Sequence, residues 1–595
     1  MLYETDCFVA PLSRGGQGVV DLSHSPGTHG SCPQSGGLLV SRTTRRRSAV
    51  LGALVAVLVA TGSSVAAAGD AVATAPGAPA PVAPQAVVPA LTWAGCGTTD
   101  VGTTAHVQCA TAGLPMDYDQ PQGAAVHIAV AKVPATDPAH RIGSLFFVVG
   151  GPGRGSVDYL QSAGAGIFAN LNQRFDLIGF DPRGVGQSTP SIDCKANQET
   201  QGIYSQPVPT PLDVDVHATV ARAQSYVDLC LANNGEILRH ISTANVARDM
   251  DALRAAVGEE QLTYFGFSYG TFLGSTYASL FPQRYRAMVL DGPVDAQAYI
   301  HDPISNIAQQ TAGIERALDR FFRACAADQV ACASFGGADP GAAYDRLVAS
   351  AETTPIPAPA YTPDPRPVTG DDSRLATSSL LYSKQSWGPL AQFLAQAQQG
   401  DASTFRAFVD LNNYGRNVDG TFSPSTDRYF TIGATEQEYP QGNIRTFLNR
   451  GAESWASFPH FWFNSGYAEI AYALWPAHDE DAYGGPFTIP ASSPPPLVVA
   501  TTYDPATPYP GAQQLVRELG NARLLTMDGD GHTAYGGKSA CVDTAAQNYL
   551  FTGALPARGT VCPQQTPFAA PQPAPAGGAA SVGALVGASP AVGRR

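Results

Sequence analysis

The sequence predicts an α/β fold, with a mostly parallel central sheet and an inserted, mainly helical cap. Three observations carry this expectation. Six short apolar runs, each bounded by Gly or Pro, read as strands buried on both faces. Stretches of helical periodicity alternate with them, as a parallel sheet requires. Between Gly292 and about Pro490 the strand series stops and helical stretches take over; the strands resume at Leu497.

Taken in order, residues 106–112 and 126–133 read as the first strands of the sheet. The run 145–149 ends in Gly150-Gly151-Pro152-Gly153, and the run 175–180 ends in Asp181-Pro182-Arg183-Gly184. Further runs lie at 262–267, 286–290, 497–500 and 523–527. Between the second and third runs lies a helix that Ser242 or Thr243 caps. Val246, Met250, Leu253 and Val257 form its apolar stripe, and Gly258 follows as the stop signal. Residues 271–281 are a second helical stretch, halted by Pro282. Inside the inserted block, 303–333, 385–411 and 442–475 read as helical, with a Pro-rich connection at 354–367.

The chain has 595 residues, 14% of them charged, and a net charge of −14. Globular chains average roughly 25% charged residues, so a coiled coil or a charge-driven disordered protein is excluded. An acidic chain is a poor partner for nucleic acid, which needs clustered Lys and Arg. Single cores stop growing near roughly 250–300 residues. The organisation expected is therefore one large domain with a substantial insertion and non-globular ends.

Those ends carry an address. Residues 42–47 (Arg-Thr-Thr-Arg-Arg-Arg) are followed by an apolar run at 49–60 and by Ala66-Ala67-Ala68, the order of a secretory signal. The run is short of the about 20 apolar residues that a membrane span needs. Arg46-Arg47 leaves the twin-arginine route open. The Gly/Ser-rich stretch 1–41 precedes the signal, and translation is expected to start near Val40. Residues 1–69 hold five arginines against three acids, so the processed chain is more acidic still. The stretch 69–90 reads as an Ala/Pro-rich linker and 563–595 as a disordered Pro/Ala-rich tail. The segments between are 91–291 and 491–562 for the core and 292–490 for the cap. Gly95-Cys96 lies too far past the apolar run for a lipoprotein site, so no stable membrane anchor is expected. Of ten cysteines, Cys7 and Cys32 precede the cleavage site. Eight remain, an even number that suits disulfides in an exported protein. Spacing leaves their connectivity open; sequential pairing, with its four short loops, is the expectation. No C-x-x-C pair or His spacing suggests zinc, and no metal, nucleotide or flavin motif is evident.

Gly266-Phe267-Ser268-Tyr269-Gly270 is a G-x-S-x-G motif between a predicted strand and a predicted helix, the context of a nucleophile elbow. A serine needs a base and an orienting acid. Asp504 follows the strand at 497–500, and His532 follows the strand at 523–527, so all three residues converge on one rim of the sheet. In isolation Asp504 reads as an Asx-Pro turn and His532 as a loop histidine; jointly, in this order, they read as a triad. Asp528 and Asp530 lie too close to His532 along the chain to serve as its acid and read as turn residues. The two oxyanion donors expected are the backbone of Tyr269 and a glycine of the 150–153 loop, Gly151. No Lys-Ser/Thr follows that loop, which argues against a phosphate site.

Six motifs in order carry a family resemblance: GGPG (150–153), FDPRGVGQS (180–188), TANVARDMDALR (243–254), GFSYGTFLG (266–274), DPATP (504–508) and GDGH (529–532). Over roughly 90–562 the chain resembles secreted actinobacterial α/β-hydrolases of the tripeptidyl-aminopeptidase and proline-iminopeptidase type, with a TAP-like segment near 465–562. The resemblance implies the α/β-hydrolase fold and a secreted serine exopeptidase acting on peptides with free N-termini, with Ser268, Asp504 and His532 as its triad and no cofactor. Two positions depart from the family pattern. The oxyanion loop reads Gly150-Gly151-Pro152-Gly153-Arg154-Gly155, where GGPGGSG is usual, and the cap helix expected at 468–476 lacks a cysteine before Trp475-Pro476. Both bear on substrate preference more than on catalysis. Glu436, Glu438, Glu453 and Glu469 are candidates for holding a substrate ammonium; the plainer reading is four solvated acids on the cap surface, so none is assigned. Two other readings compete. A carboxylesterase or lipase-like hydrolase would use the same triad on esters, and a non-catalytic binding protein would have lost one of the three residues. A dehalogenase would carry Asp at position 268. Oligomeric state is not legible.

Overall fold

Among the described residues, ten strands form one sheet: β1 (Ala94–Gly95), β2 (Gln108–Pro115), β3 (Ala125–Val133), β4 (Gly143–Val148), β5 (Phe175–Phe180), β6 (Leu262–Phe267), β7 (Tyr285–Asp291), β8 (Leu497–Tyr503), β9 (Arg523–Asp530) and β10 (Val561–Pro563). Their order is β1-β2-β3-β5-β4-β6-β7-β8-β9-β10. The first three are antiparallel, β3 meets β5 antiparallel, and everything from β5 to β10 is parallel. The computed structural model describes residues 88–96, 106–204 and 210–568. The N-terminal extension, export signal and linker expected up to residue 87 lie outside the described residues, as does the expected tail from 569.

Helices cover both faces of this sheet, which is why its strands read as unbroken apolar runs. In β4, Phe146 and Val148 join the hydrophobic cluster on one face, and Leu145 and Phe147 the cluster on the other. β5 divides the same way, Ile178 and Phe180 against Phe175 and Leu177. The chain leaves β4 for β5 on one side and returns to β6 on the other, so the carboxyl ends of β4 and β6 flank a topological switch point. Open α/β sheets place their ligand crevices there.

The FDPRG and TANVARDMDALR motifs are joined by a buried ion pair. Arg183, 1% exposed, donates to both carboxylate oxygens of Asp249 (2.7 and 2.8 Å) and to the carbonyls of Pro115, Met116 and His240. Every arm of the guanidinium is thus satisfied, the condition under which a buried charge is tolerated. Asp181 accepts from the backbone N–H groups of Val157 and Gln187, tying the loop after β4 to the loop after β5. The helix Thr243–Ala256 is capped by Ser242, with Val257 ending it and Gly258 at φ 83° beyond.

Between β7 and β8 the chain is helical, with boundaries that differ from the expectation. The stretch 303–333 stops at Ala327, where a turn closed by the Cys325–Cys332 disulfide follows. The stretch 385–411 breaks at Gly400, φ 91°, into Trp387–Gln398 and Ser403–Phe408. The stretch 442–475 breaks before Pro459 and leaves Ile444–Ser457 plus the single turn Ile470–Ala473, so the helix expected at 468–476 is only four residues long. Four cap helices among the described residues were not anticipated: Ala296–His301, Pro340–Thr353, Gly370–Leu381 and Ser425–Glu436. Outside the cap, Val216–Asn234 was also missed. The first part of the cap has its own core around Phe321, Trp387, Phe393 and Phe408. The later part does not: Phe430, Tyr472 and Trp475 pack into the cluster that covers the sheet. A charge network around the buried Arg406, with Glu199, Asp364 and Asp410, joins the cap to the loop after β5.

All eight cysteines of the described chain pair sequentially, Cys96–Cys109, Cys194–Cys230, Cys325–Cys332 and Cys541–Cys562. The segment expected as tail from 563 packs as far as Phe568, whose ring meets Phe321 and Trp387 of the cap. No helix among the described residues is long and apolar enough to cross a membrane.

Candidate active site

Ser268 stands between β6 and the helix Tyr269–Leu280, with φ 55° and ψ −123°. A non-glycine residue seldom adopts such a backbone, and the strain turns the side chain out of the strand-to-helix corner. The flanking glycines are required by contact. A Cβ on Gly266 would lie 2.3 Å from the Gly270 carbonyl oxygen, and one on Gly270 would lie 2.8 Å from that of Val148 in β4. The Ser268 N–H donates to the Asp291 carbonyl (2.9 Å), and Thr271 Oγ1 donates to the Ser268 carbonyl (2.6 Å), so the corner is held from both sides.

The loop leaving β4 crosses directly over this serine. A Cβ on Gly150, φ 102°, would meet Ser268 Cβ at 2.9 Å and Oγ at 3.5 Å. The next amide, that of Gly151, has no acceptor among the described residues. The Tyr269 amide opens its helix, where no intrahelical acceptor exists. Two unclaimed N–H groups thus bracket the serine.

Asp504 follows the last residue of β8, and His532 lies just past β9. His532 Nδ1 is 2.9 and 3.0 Å from the two Asp504 carboxylate oxygens. Asp504 is fully buried and also accepts from the amides of Ala506, Thr507 and Thr533 and from the Thr507 hydroxyl. Burial alone would raise its pKa; the adjacent imidazole and these donors outweigh that and hold the carboxyl below its ordinary range. Facing a carboxylate, Nδ1 carries the ring proton and Nε2 is left with the free lone pair. Nε2 is buried with no hydrogen-bond partner. His532 and Ser268 flank one backbone segment: the Asp291 carbonyl receives the serine amide, and a Cβ on the following Gly292 would meet His532 Cε1 at 2.9 Å. Their mutual hydrogen bond is not formed in this conformation. Such bonds are commonly long in the absence of substrate and tighten on binding.

Sequence reasoning passed over Asp291, the last residue of β7. Its buried carboxylate accepts from the amides of Ala534 and Tyr535 (2.8–3.0 Å), fixing the turn behind His532. Burial pushes its pKa up to about 6, against the pull of those amides and of Lys538. An acid closing a buried parallel strand, followed by Gly-Pro, was the available signal. Asp530 is no partner for His532, as expected, but it does more than shape a turn. It pairs with Arg320 and with Lys384 (3.2 Å), both in the cap. The cap grips His532 directly too: the Tyr382 carbonyl accepts the His532 amide at 2.7 Å, and the Tyr382 ring stands edge-on to the imidazole at 5.7 Å.

A cleft of about 760 Å³, mouth included, opens from Ser268 beneath the cap and is walled by Tyr269, Tyr299, Tyr429, Tyr439 and Tyr472. Two of the four acids considered for substrate binding stand behind this wall. Glu436 accepts from the Tyr299 hydroxyl and from Thr243, and Glu469 from the Tyr439 hydroxyl and the Gly466 amide. Burial raises their pKa values to about 7 and about 8, respectively. They are therefore not solvated surface acids. Glu438, which pairs with His301, and Glu453, beside Arg450, are.

With a hydroxyl at a strained corner, an imidazole oriented by a buried carboxylate and unclaimed amides alongside, the site is built for acyl transfer. The sequence matches the alpha/beta hydrolase fold family over residues 143–331 and the TAP-like protein family over residues 463–562. The chain belongs to the α/β hydrolases of the TAP type. It is 34% identical over 470 residues to "Serine protease Hip1" of Mycobacterium tuberculosis, covering 76% of this chain and 87% of that protein. It is 35% identical over 507 residues to "Carboxylesterase B" of the same organism, covering 82% and 91%. It is 30% identical over 494 residues to "Tripeptidyl aminopeptidase" of Streptomyces lividans, covering 81% and 87%. The chain is a serine hydrolase.

Proposed function

We propose that this hydrolase is a secreted aminopeptidase that releases short N-terminal fragments from peptides through an acyl-enzyme on Ser268. The observation that carries the reading is the Asp504–His532 pair set beneath a cap, beside a strained serine that opens into a closed-over cleft. His532 Nε2 takes the proton of Ser268 Oγ as Oγ attacks the scissile carbonyl. Asp504 keeps the imidazole in the required tautomer and stabilises the imidazolium. The amides of Tyr269 and Gly151 receive the oxyanion, each worth about 10²–10³-fold in rate. The imidazolium then protonates the leaving nitrogen, the C–N bond breaks, and a water activated by His532 hydrolyses the ester. A cleft closed over by the cap favours chain ends over internal bonds, and the ring faces of Tyr299 and Tyr439, backed by Glu436 and Glu469, favour a substrate ammonium. Two of the named relatives are peptidases, which supports the peptide substrate. The four disulfides and the export signal support an extracellular location.

The test is hydrolysis of N-terminally free and N-terminally blocked peptide amides beside short-chain p-nitrophenyl esters, with mass spectrometry of the products. Free peptides are expected to be cleaved near their N-termini, and Ser268→Ala to lower kcat/KM by at least about 10³-fold and abolish labelling by a fluorophosphonate probe. Turnover of esters alone would overturn the peptidase reading in favour of a carboxylesterase, the activity named for another relative.

A further inference from the structure

We infer that Arg154, on the loop that crosses the nucleophile, is a specificity-determining residue that receives a carboxylate carried by the leaving group; this rests on the acyl-transfer reading above. Arg154 directly follows Gly150-Gly151-Pro152-Gly153, at one of the positions where the chain departs from the glycine-rich pattern it otherwise resembles. The loop around it is fixed. Pro152 and Gly153 are buried, and a Cβ on Gly153 would meet Arg428 Cβ at 2.5 Å and the Tyr429 amide nitrogen at 3.0 Å, both on the cap helix Ser425–Glu436. Arg154 itself is exposed, and the protein atoms crowded around it lower its pKa. The group that acts on its charge is the Tyr382 hydroxyl; no carboxylate does.

The acids around His532 are already engaged. Asp504 holds His532, Asp530 holds Arg320 and Lys384, and Asp291 holds the amides of Ala534 and Tyr535. Other arginines around the site are satisfied: Arg183 by Asp249, and Arg428 by the Ile192 carbonyl and Ser191 Oγ. Arg154 has no ion pair among the described residues. An unpaired guanidinium on the loop that crosses the nucleophile is free to take an incoming anion, and its planar donors match a carboxylate in a bidentate fork.

Position decides which part of the substrate it meets. The tyrosine-walled cleft is lined by Ser268 but not by Arg154, Tyr382 or His532. Arg154 instead lies against the proposed oxyanion glycine, a Cβ on Gly151 coming within 3.6 Å of Arg154 Cγ, and its charge is felt by Tyr382, whose ring stands edge-on to the imidazole. The imidazole delivers its proton to the departing atom, so the leaving group lies on that side. The carboxylate comes from an acidic side chain at the first leaving residue or from the terminus of a one-residue leaving group.

The experiment compares wild type with Arg154→Ala, Arg154→Gln and Arg154→Lys on substrates that share one acyl part. The peptide pairs leave as Glu-amide or Gln-amide, and as free glycine or glycinamide; an ester pair leaves as 4-hydroxybenzoate or 4-hydroxybenzamide. The wild-type anionic-to-neutral ratio of kcat/KM is expected to fall by about ten- to a hundredfold in Arg154→Ala, as for loss of a charged hydrogen bond, and to be partly restored in Arg154→Lys. The pair showing the larger fall identifies the source of the carboxylate. Arg154→Gln gives the same readout should the alanine variant not fold. Equal ratios in wild type and variants across all pairs overturn the inference. Cleavage of the esters alone overturns the peptidase reading and still decides Arg154 through the ester pair, while full activity in Ser268→Ala would overturn the serine mechanism itself.

Discussion

At the scale of single residues, the site depends on atoms that are missing as much as on atoms that are present. Gly150 passes so close to Ser268 that a methyl group there would strike the Phe267 carbonyl and Ser268 Cβ, each at 2.9 Å, at a backbone angle that L side chains rarely adopt. Gly150→Ala should therefore displace the loop that carries Gly151. Its expected cost is that of one lost oxyanion donor, about 10²–10³-fold in kcat/KM, with a slower fluorophosphonate labelling rate. Unchanged kinetics in a folded Gly150→Ala protein would remove this loop from the transition state. The placing of Ser268, Asp504 and His532 on one rim was legible in the sequence because each sits at a strand end marked by its own short motif. Asp291 was not, because an acid at a strand end reads as an ordinary turn until the amides of Ala534 and Tyr535 are seen to converge on it.

Among the elements, the parallel strands were readable because burial on both faces leaves continuous apolar runs. The cap was read only as helical, with its breaks misplaced. Its helices are stopped by Gly400, by Pro459 and by the Cys325–Cys332 loop, inside stretches whose apolar spacing runs straight through those points. Two of the missed helices start on signals that lie outside the apolar pattern. Asp339 caps before Pro340, and Thr369 and Asp372 form a reciprocal capping box. The FDPRG motif was recognised without its reason, which is the Arg183–Asp249 pair between the loop after β5 and the helix Thr243–Ala256. Removing one partner leaves a buried charge uncompensated, so Arg183→Ala should lower unfolding stability by about 3–5 kcal/mol. Arg183→Met with Asp249→Leu should cost much less. Denaturant titration of the three proteins checks this, and a double variant as unstable as the single one would mean that the carbonyl contacts, rather than the ion pair, hold the two motifs together.

For the molecule as a whole, burial sets the response to pH. Asp181 and Asp291 are raised to about 6, Asp371 and Glu436 to about 7, and Glu469 to about 8, in each case chiefly by desolvation. A carboxyl with a higher pKa folded than unfolded binds more protons in the folded state, so its contribution is fullest at low pH and is lost as pH rises between the two values. His301 and His460 are raised as well, through Glu438 and, against burial, through Glu315 and Asp345, so their contribution too fades upward. Asp364, held at about 2 by Arg366, loses its contribution only in strong acid. Calorimetry should therefore record a falling Tm from pH 5 to pH 8, and Glu469→Gln should flatten the upper part of that decline; an identical slope in the variant would show that Glu469 does not titrate there. One contact has a larger meaning. The cap's Tyr382 carbonyl grips the peptide nitrogen of His532, the proton shuttle of the proposed mechanism. The insertion and the imidazole's backbone are thus hooked together, so a substitution that shifts the turn at 382–384 should be felt at His532 without touching it.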